Sequence, residues 1–203
     1  ERASRLLDIA LGKAGSGLNR VPFTGFPVRS LPVHLGKLLR QGESVVVCEQ
    51  YQERHRNSFR RRVARIVTPG TITDSDMLET GKSNFLLAIE RDETGVALAW
   101  SDISTGQVMI RTVSQGHLLA ELRRINATEI LGQPIDGVET KDFEIDVNSV
   151  ELFYPESVNF ESFSTIELAA LIRLLSYIKH TQVSSLPRLS IPTKTNDQQF
   201  MSL

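Results

Sequence analysis

The sequence predicts an α/β protein in two parts, an α+β domain over residues 1–72 and a second sheet-and-helix domain over residues 83–183. The apolar patterns of the first part predict helix among short strands, whereas those of the second predict three consecutive strands followed by helices. The charge changes as well: residues 1–72 hold 13 Lys and Arg against 5 Asp and Glu, and residues 73–203 hold 10 against 19. A basic surface of this kind indicates nucleic-acid binding, and the acidic part is expected to contact proteins.

The first part opens with the end of a helix over residues 1–7 and a short strand over residues 8–12. A second helix is predicted to begin after Ser30, since serine is a common N-cap, and Pro32 suits its first turn. Gly42 is expected to end this helix. Its buried face is predicted to carry four apolar residues, namely Val33, Leu35, Leu38 and Leu39.

Two strands complete the first part, over residues 44–49 and residues 59–67. In the second strand, apolar residues alternate with arginines, which predicts one packed face and one solvated face. The cationic side chains of this region are Arg54, His55, Arg56, Arg60, Arg61, Arg62 and Arg65. We expect no carboxylate beside them, which favours an anionic partner. The alternative is a solvated strand face without a partner.

The second part begins after a predicted hinge over residues 73–82. Its predicted strands cover residues 84–89, 96–100, 107–112 and 129–132, and its predicted helices cover residues 118–125 and a segment that starts at Ser164 or Thr165. This order, βββαβα, resembles a ribonuclease H-like sheet. Residues 184–203 are rich in Pro, Ser and Thr and are predicted to form a linker into a further domain.

No catalytic or metal site is predicted. Nucleases with a ribonuclease H-like sheet hold two metals on clustered carboxylates, but the strand over residues 84–89 lacks a central acid, and Asp102 suits a turn. The tripeptide at 81–83, Gly-Lys-Ser, lacks the earlier glycine of a phosphate-binding loop. The four histidines have no ligand spacing, and Cys48 lies in an apolar run that predicts a buried thiol.

The composition also bears on location. No run approaches the roughly 18 apolar residues of a membrane span, and the first residues do not form a signal peptide. We therefore expect an intracellular protein without a membrane partner. The chain lacks an initiator methionine and ends without a capping or turn residue, so we expect it to be a piece of a longer polypeptide.

Five motifs follow one another along the chain: LLDIALGK at 6–13, PFTGFP at 22–27, GESVVVCEQ at 42–50, RIVTPGT at 65–71 and DISTG at 102–106. In order and spacing they resemble the MutS family of DNA mismatch-recognition proteins. The resemblance implies that residues 1–72 are the later part of a mismatch-binding domain. It also implies that residues 83–183 are a ribonuclease H-like connector domain and residues 184–203 the entry to a core domain.

The resemblance further implies partners and cofactors. Family members act as homo- or heterodimers that bind mispaired double-stranded DNA and recruit a MutL-type protein, here expected through the connector domain. ATP and Mg belong to the full-length parent, and no cofactor is expected in this fragment. The aromatic-x-glutamate wedge of the family would precede Glu1. Similarity to fungal mitochondrial members would place the parent in the mitochondrion; otherwise the bacterial cytoplasm or the nucleus is expected.

Matching motifs assign the DNA-contacting residues. The family's contacts fall on Lys13, Phe23, Thr24, Gly25 and Arg65, while Arg60, Arg61 and Arg62 are expected to attract phosphates. Bacterial members usually have Met-Ala-Gly in place of residues 23–25 and Tyr-His in place of residues 28–29. For Phe23 and Phe26 a core position is the alternative, and for the whole chain the alternative is a protein-interaction module with an incidental basic face.

Overall fold

The computed structural model describes residues 1–52, 59–74, 77, 81–155, 158–183 and 185–195. Helices and strands alternate along these residues, so the predicted α/β class is confirmed. In the part of the chain that the structure describes, no helix is both long and apolar enough to cross a bilayer.

The first part starts with helix α1 (Arg2–Leu7), which ends where Asp8 takes a left-handed conformation (φ 55°, ψ 51°). The predicted strand over residues 8–12 is therefore wrong at its start. Strand β1 (Gly12–Ala14) follows and pairs antiparallel with β2 (Val21–Phe23) to form a two-stranded ribbon.

Helix α2 (Leu31–Arg40) lies where it was predicted. Ser30 occupies the N-cap position, although its side chain makes no capping bond. Leu35 and Leu39 are buried and form a small core with Val67, whereas the predicted burial of Val33 is wrong, since 61% of that side chain is exposed. An amphipathic helix on so small a domain buries a narrower stripe than its apolar pattern suggests.

Strands β3 (Val45–Gln52) and β4 (Phe59–Val67) form a second antiparallel ribbon. Only its base is packed: Val67 is buried, but Val63 is 43% exposed and Cys48 is exposed. The predictions of a packed face along β4 and of a buried thiol are therefore wrong. Apolar residues do alternate along β4, but no other element covers either face of the ribbon away from its base in the described structure.

The second part is a five-stranded sheet in the order β8-β5-β6-β7-β9. Its strands are β5 (Phe85–Asp92), β6 (Gly95–Asp102), β7 (Gln107–Val113), β8 (Glu129–Leu131) and β9 (Thr193–Lys194). The first three form the predicted antiparallel meander, while β8 runs parallel to β5 and β9 parallel to β7. Helices α3 (Leu118–Ile125), α4 (Ser149–Phe153) and α5 (Thr165–Thr181) complete it.

Helices cover both faces of this sheet, which explains the continuous apolar runs of its strands. Leu86 and Ala88 of β5 pack in one cluster with α5, and Leu87 and Ile89 pack in the other with α3. Helix α5 begins at the predicted position, where Ser164 and Glu167 form a reciprocal capping box. Strand β9 was not predicted, and it shows that residues 193–194 of the expected linker join the sheet.

Candidate nucleic-acid interface

The β1–β2 ribbon brings together one group of predicted DNA contacts. Gly12 lies opposite Phe23 and Lys13 opposite Pro22, so Lys13 and Phe23 occupy adjacent positions of the ribbon but point to its two opposite faces. Both side chains are exposed. Phe23 is 57% exposed, which rules out the core position for this ring. Phe26 instead stacks on His34, with ring centroids 4.2 Å apart, and is partly buried.

Thr24 constrains the loop that carries Phe23. The Thr24 hydroxyl donates to the carbonyl of Ala10 at 2.8 Å and so connects the loop to the segment that leads into β1. Gly25 lies beside the ring of Phe23, and a Cβ added there would be 3.4 Å from the ring, an ordinary van der Waals distance. Thr24 therefore helps to position Phe23, whereas no contact among the described residues gives Gly25 such a role.

The β3–β4 ribbon divides the predicted arginines between its two faces. Neighbouring residues on a strand point to opposite faces, and directly paired residues share one. Arg65 pairs with Val47, Arg62 with Glu49 and Arg60 with Tyr51. A register shift between Val47 and Cys48 puts Arg65 on the same face as Arg62, although the two are three residues apart on β4. We call this face, which Arg60 also shares, the three-arginine face. Arg61 pairs with Gln50 and lies on the opposite face.

Carboxylates do accompany these arginines, so the expectation that none would lie beside them is wrong. Arg65 Nη2 lies 2.6 Å from Asp74 Oδ2, and Arg62 Nη2 lies 3.4 Å from Glu49 Oε2. The guanidinium of Arg62 also stands 5.8 Å from the centre of the Tyr51 ring, within cation–π range. The sequence analysis did not identify Glu49, Tyr51 or Asp74, because the strand register places Glu49 and Tyr51 here and the turn after β4 brings Asp74 back to Arg65.

These ion pairs leave the face basic. Both partners of each pair are substantially exposed, and such pairs contribute about 0–1 kcal/mol in water. An incoming phosphate can therefore replace a carboxylate at little cost. The remaining cationic residues of the predicted run, Arg54, His55 and Arg56, lie outside the described residues.

In the second part, the acid considered as a metal ligand, Asp102, has a structural role. Asp102 is buried, and its carboxylate accepts bonds from the backbone amide of Asn84 at 3.0 Å and from the amide and hydroxyl of Ser104 at 3.0 and 2.6 Å. The predicted turn role of Asp102 is confirmed. Across the described ranges, no three His, Cys, Asp or Glu side chains are grouped to hold a metal ion.

Known protein families match both parts of the chain. The model of MutS domain I matches residues 1–76, and the model of MutS domain II matches residues 84–152.

Curated relatives agree along nearly all of the chain. The DNA mismatch repair protein MutS of Ruegeria pomeroyi is 32% identical over 99% of the chain and 26% of its own length. That of Rhizobium meliloti is 34% identical over 95% of the chain and 25% of the relative, and that of Clostridioides difficile 30% over 99% and 24%. The chain spans about a quarter of the length of these relatives. It belongs to the MutS family, of which it carries domains I and II.

Proposed function

We propose that this chain is the duplex-binding and connector part of a mismatch-recognition protein. In this proposal, the three-arginine face of the β3–β4 ribbon contacts the phosphate backbone, and the β1–β2 ribbon presents Phe23 to the groove and Lys13 to a phosphate. The observation that carries the proposal is the placement of Arg60, Arg62 and Arg65 on one exposed face.

Geometry and charge support phosphate contact by this face. Arg60 and Arg62 are two residues apart on a strand, so their stems are spaced by roughly 6.6 Å. Guanidinium groups bind phosphates bidentately, and Arg62 is oriented by the ring of Tyr51. A two-stranded ribbon is also narrow enough to follow a DNA groove.

The loop of β2 supports a groove contact. Phe23 is exposed, and the Thr24 hydrogen bond to Ala10 restrains its loop, so less conformational entropy is lost when the ring touches a base edge or sugar. Apolar side chains that press between base steps are the means by which minor-groove proteins bend DNA. We assign Phe23 a groove contact and Lys13 a phosphate contact.

The wider activity of the parent is also a proposal. Its relatives are named DNA mismatch repair proteins, which supports recognition of mispaired duplex DNA and signalling to repair partners. We propose that the parent is an ATPase using ATP and Mg outside this chain, that it works as a dimer, and that a MutL-type protein docks on the connector. The proposed location is intracellular: the mitochondrion under the fungal similarity, and otherwise the bacterial cytoplasm or the nucleus.

The test is anisotropy of a labelled 20-base-pair duplex, titrated with the chain at several salt concentrations. We expect binding that weakens steeply with salt, because each neutralised phosphate adds about 0.9 to the slope of log affinity against log salt. Phe23→Ala is expected to weaken binding while leaving the slope unchanged, and Lys13→Gln to lower the slope. Phe26→Ala serves as the aromatic control for loop packing.

The same titrations distinguish the DNA-binding proposal from the second candidate function. A protein-interaction module with an incidental basic face would bind the duplex weakly, and neither Phe23→Ala nor Lys13→Gln would change that binding selectively. This result would remove the proposed DNA contact and leave the connector as the functional part.

A further inference from the structure

A buried turn joins the two parts of the chain. Residues Thr68–Thr71 follow β4 directly, and Thr68 and Thr71 are each only 2% exposed. The side-chain amide of Asn84 donates to the carbonyl of Pro69 at 2.9 Å, and that of Gln182 donates to the carbonyl of Thr71 at 3.4 Å. The turn therefore packs within the connector, although in sequence it is the end of the first part, which we propose binds DNA.

Glu129, the first residue of β8, connects the two parts through its separate carboxylate oxygens. Oε2 accepts bonds from the Thr68 hydroxyl at 2.6 Å and from the Gly70 amide at 2.8 Å. Oε1 accepts bonds from the Tyr177 hydroxyl at 2.7 Å and from the Lys141 ammonium at 2.8 Å. One oxygen therefore binds the turn, and the other binds the connector.

Burial makes these bonds costly to break. The Glu129 side chain is 2% exposed, and a buried carboxylate is stable only while it is hydrogen-bonded and paired with a cation. Lys141 supplies that cation and also donates to the Ser44 hydroxyl of the first part at 3.1 Å. Burial, together with the Glu129 charge, raises the pKa of Tyr177, so its hydroxyl remains a donor at neutral pH.

The backbone of the turn also fits closely against β8. A Cβ placed on Gly70 would lie 2.8 Å from the Glu129 Cβ and 3.0 Å from Leu86 Cδ1. The contact requires glycine because of this close approach. The backbone of Gly70 thus packs directly against the side chains of Glu129 and Leu86, which leaves little freedom for the turn to slide over the sheet.

We propose that Glu129 is a coupling residue that makes the Thr68–Thr71 turn a rigid joint between the DNA-binding part and the connector. A displacement of β4 is then passed through the turn to β8 and, through Tyr177 and Gln182, to α5. The predicted hinge over residues 73–82 lies beyond this joint in the chain. Rotation between the parts therefore requires loss of the Oε2 bonds. This proposal goes beyond DNA binding and does not depend on it.

The test measures the distance between two nitroxide labels in the absence of DNA. In a Cys48→Ser background, cysteines replace Lys37 on α2 and Glu151 on α4, both exposed and on opposite sides of the joint. We expect one narrow distance distribution for this reference protein. Thr68→Val, which removes an Oε2 donor, is expected to widen it about twofold by freeing local motion at the joint.

Two further variants sharpen the test. Tyr177→Phe removes an Oε1 donor within the connector and is expected to lower stability while leaving the distribution narrow. Thr112→Val is the matched control, because its hydroxyl also donates to a buried glutamate, Glu167 at 3.0 Å, but far from the turn in the fold. A wide reference distribution, or no widening by Thr68→Val in folded protein, would overturn the rigid joint.

Discussion

Arg65 of the three-arginine face is paired with Asp74, which follows it by nine residues and brings its Oδ2 within 2.6 Å of Arg65 Nη2. The pair lies beside the buried turn, so an acid of the inter-domain segment partly neutralises a proposed DNA contact. Both side chains are more than two fifths exposed, and the pair therefore contributes little to folding.

We predict that Asp74→Asn strengthens duplex binding. Without the carboxylate, Arg65 can engage a phosphate fully, and the salt slope should steepen by up to about 0.9. The free energy of unfolding should change by less than about 0.5 kcal/mol, as for other exposed substitutions. Anisotropy with the labelled duplex gives the slope. Glu93→Gln, at an exposed connector turn, removes the same charge and should leave the slope unchanged.

A second prediction concerns the turn itself. Gly70→Ala places a Cβ against β8 and should destabilise the chain by about 1–3 kcal/mol, the usual cost of overpacking. Urea unfolding measures this difference. Gly116→Ala is the matched control, because nothing lies within 4 Å of its added Cβ, and it should change stability little. Equal stability of the two variants would contradict the close contact.

The connector core gives a third prediction. Leu87 is fully buried between β5 and α3, so Leu87→Ala should lower the free energy of unfolding by about 2–5 kcal/mol. Leu119 lies on α3 but is 49% exposed, and Leu119→Ala should cost less than about 1 kcal/mol. Similar losses for the two would show that α3 packs by a different face.

A fourth prediction follows from Glu167. Burial opposes its charge, but hydrogen bonds from Lys194, the Ser164 amide and Thr112 outweigh burial and lower the pKa of this carboxyl. A depressed folded pKa stabilises the fold above the unfolded pKa, and that stability is lost as pH falls through the folded value. Stability should therefore decrease below the ordinary glutamate pKa.

The measurement is urea unfolding at neutral pH and at acidic pH. Glu167→Gln should reduce the difference in stability between the two conditions, because the amide does not titrate. Glu151→Gln, an exposed acid of α4, is the control and should leave the pH dependence as it was. An unaltered pH dependence in Glu167→Gln would contradict the role of this capping box.

Local patterns predicted the regular elements well. Ser30 and Gly42 bracket α2, Ser164 starts α5, and the apolar runs of β5 and β6 reflect burial on both faces. These features depend on neighbours in sequence. Strand β9 has only two residues, and its pairing with β7 depends on contacts that no local pattern encodes.

Tertiary context explains what the sequence did not predict. The alternation of β4 and the apolar run of β3 could not reveal that the outer half of their ribbon lies uncovered, so the expected burial of Val63 and of Cys48 is wrong. The bulge between Val47 and Cys48 determines which arginines share a face. Glu129 resembles an ordinary surface acid in sequence, and its role depends on donors that are distant in the chain.

The most direct test of the DNA-binding account compares the two faces of one ribbon. Arg62→Gln and Arg61→Gln remove the same charge from adjacent exposed residues that point to opposite faces. Duplex binding over a salt series should show a slope reduced by about 0.9 for Arg62→Gln, by about twice that when Arg60→Gln is added, and unchanged for Arg61→Gln. Equal reductions for Arg61 and Arg62, or none for either, would contradict a DNA contact through the three-arginine face.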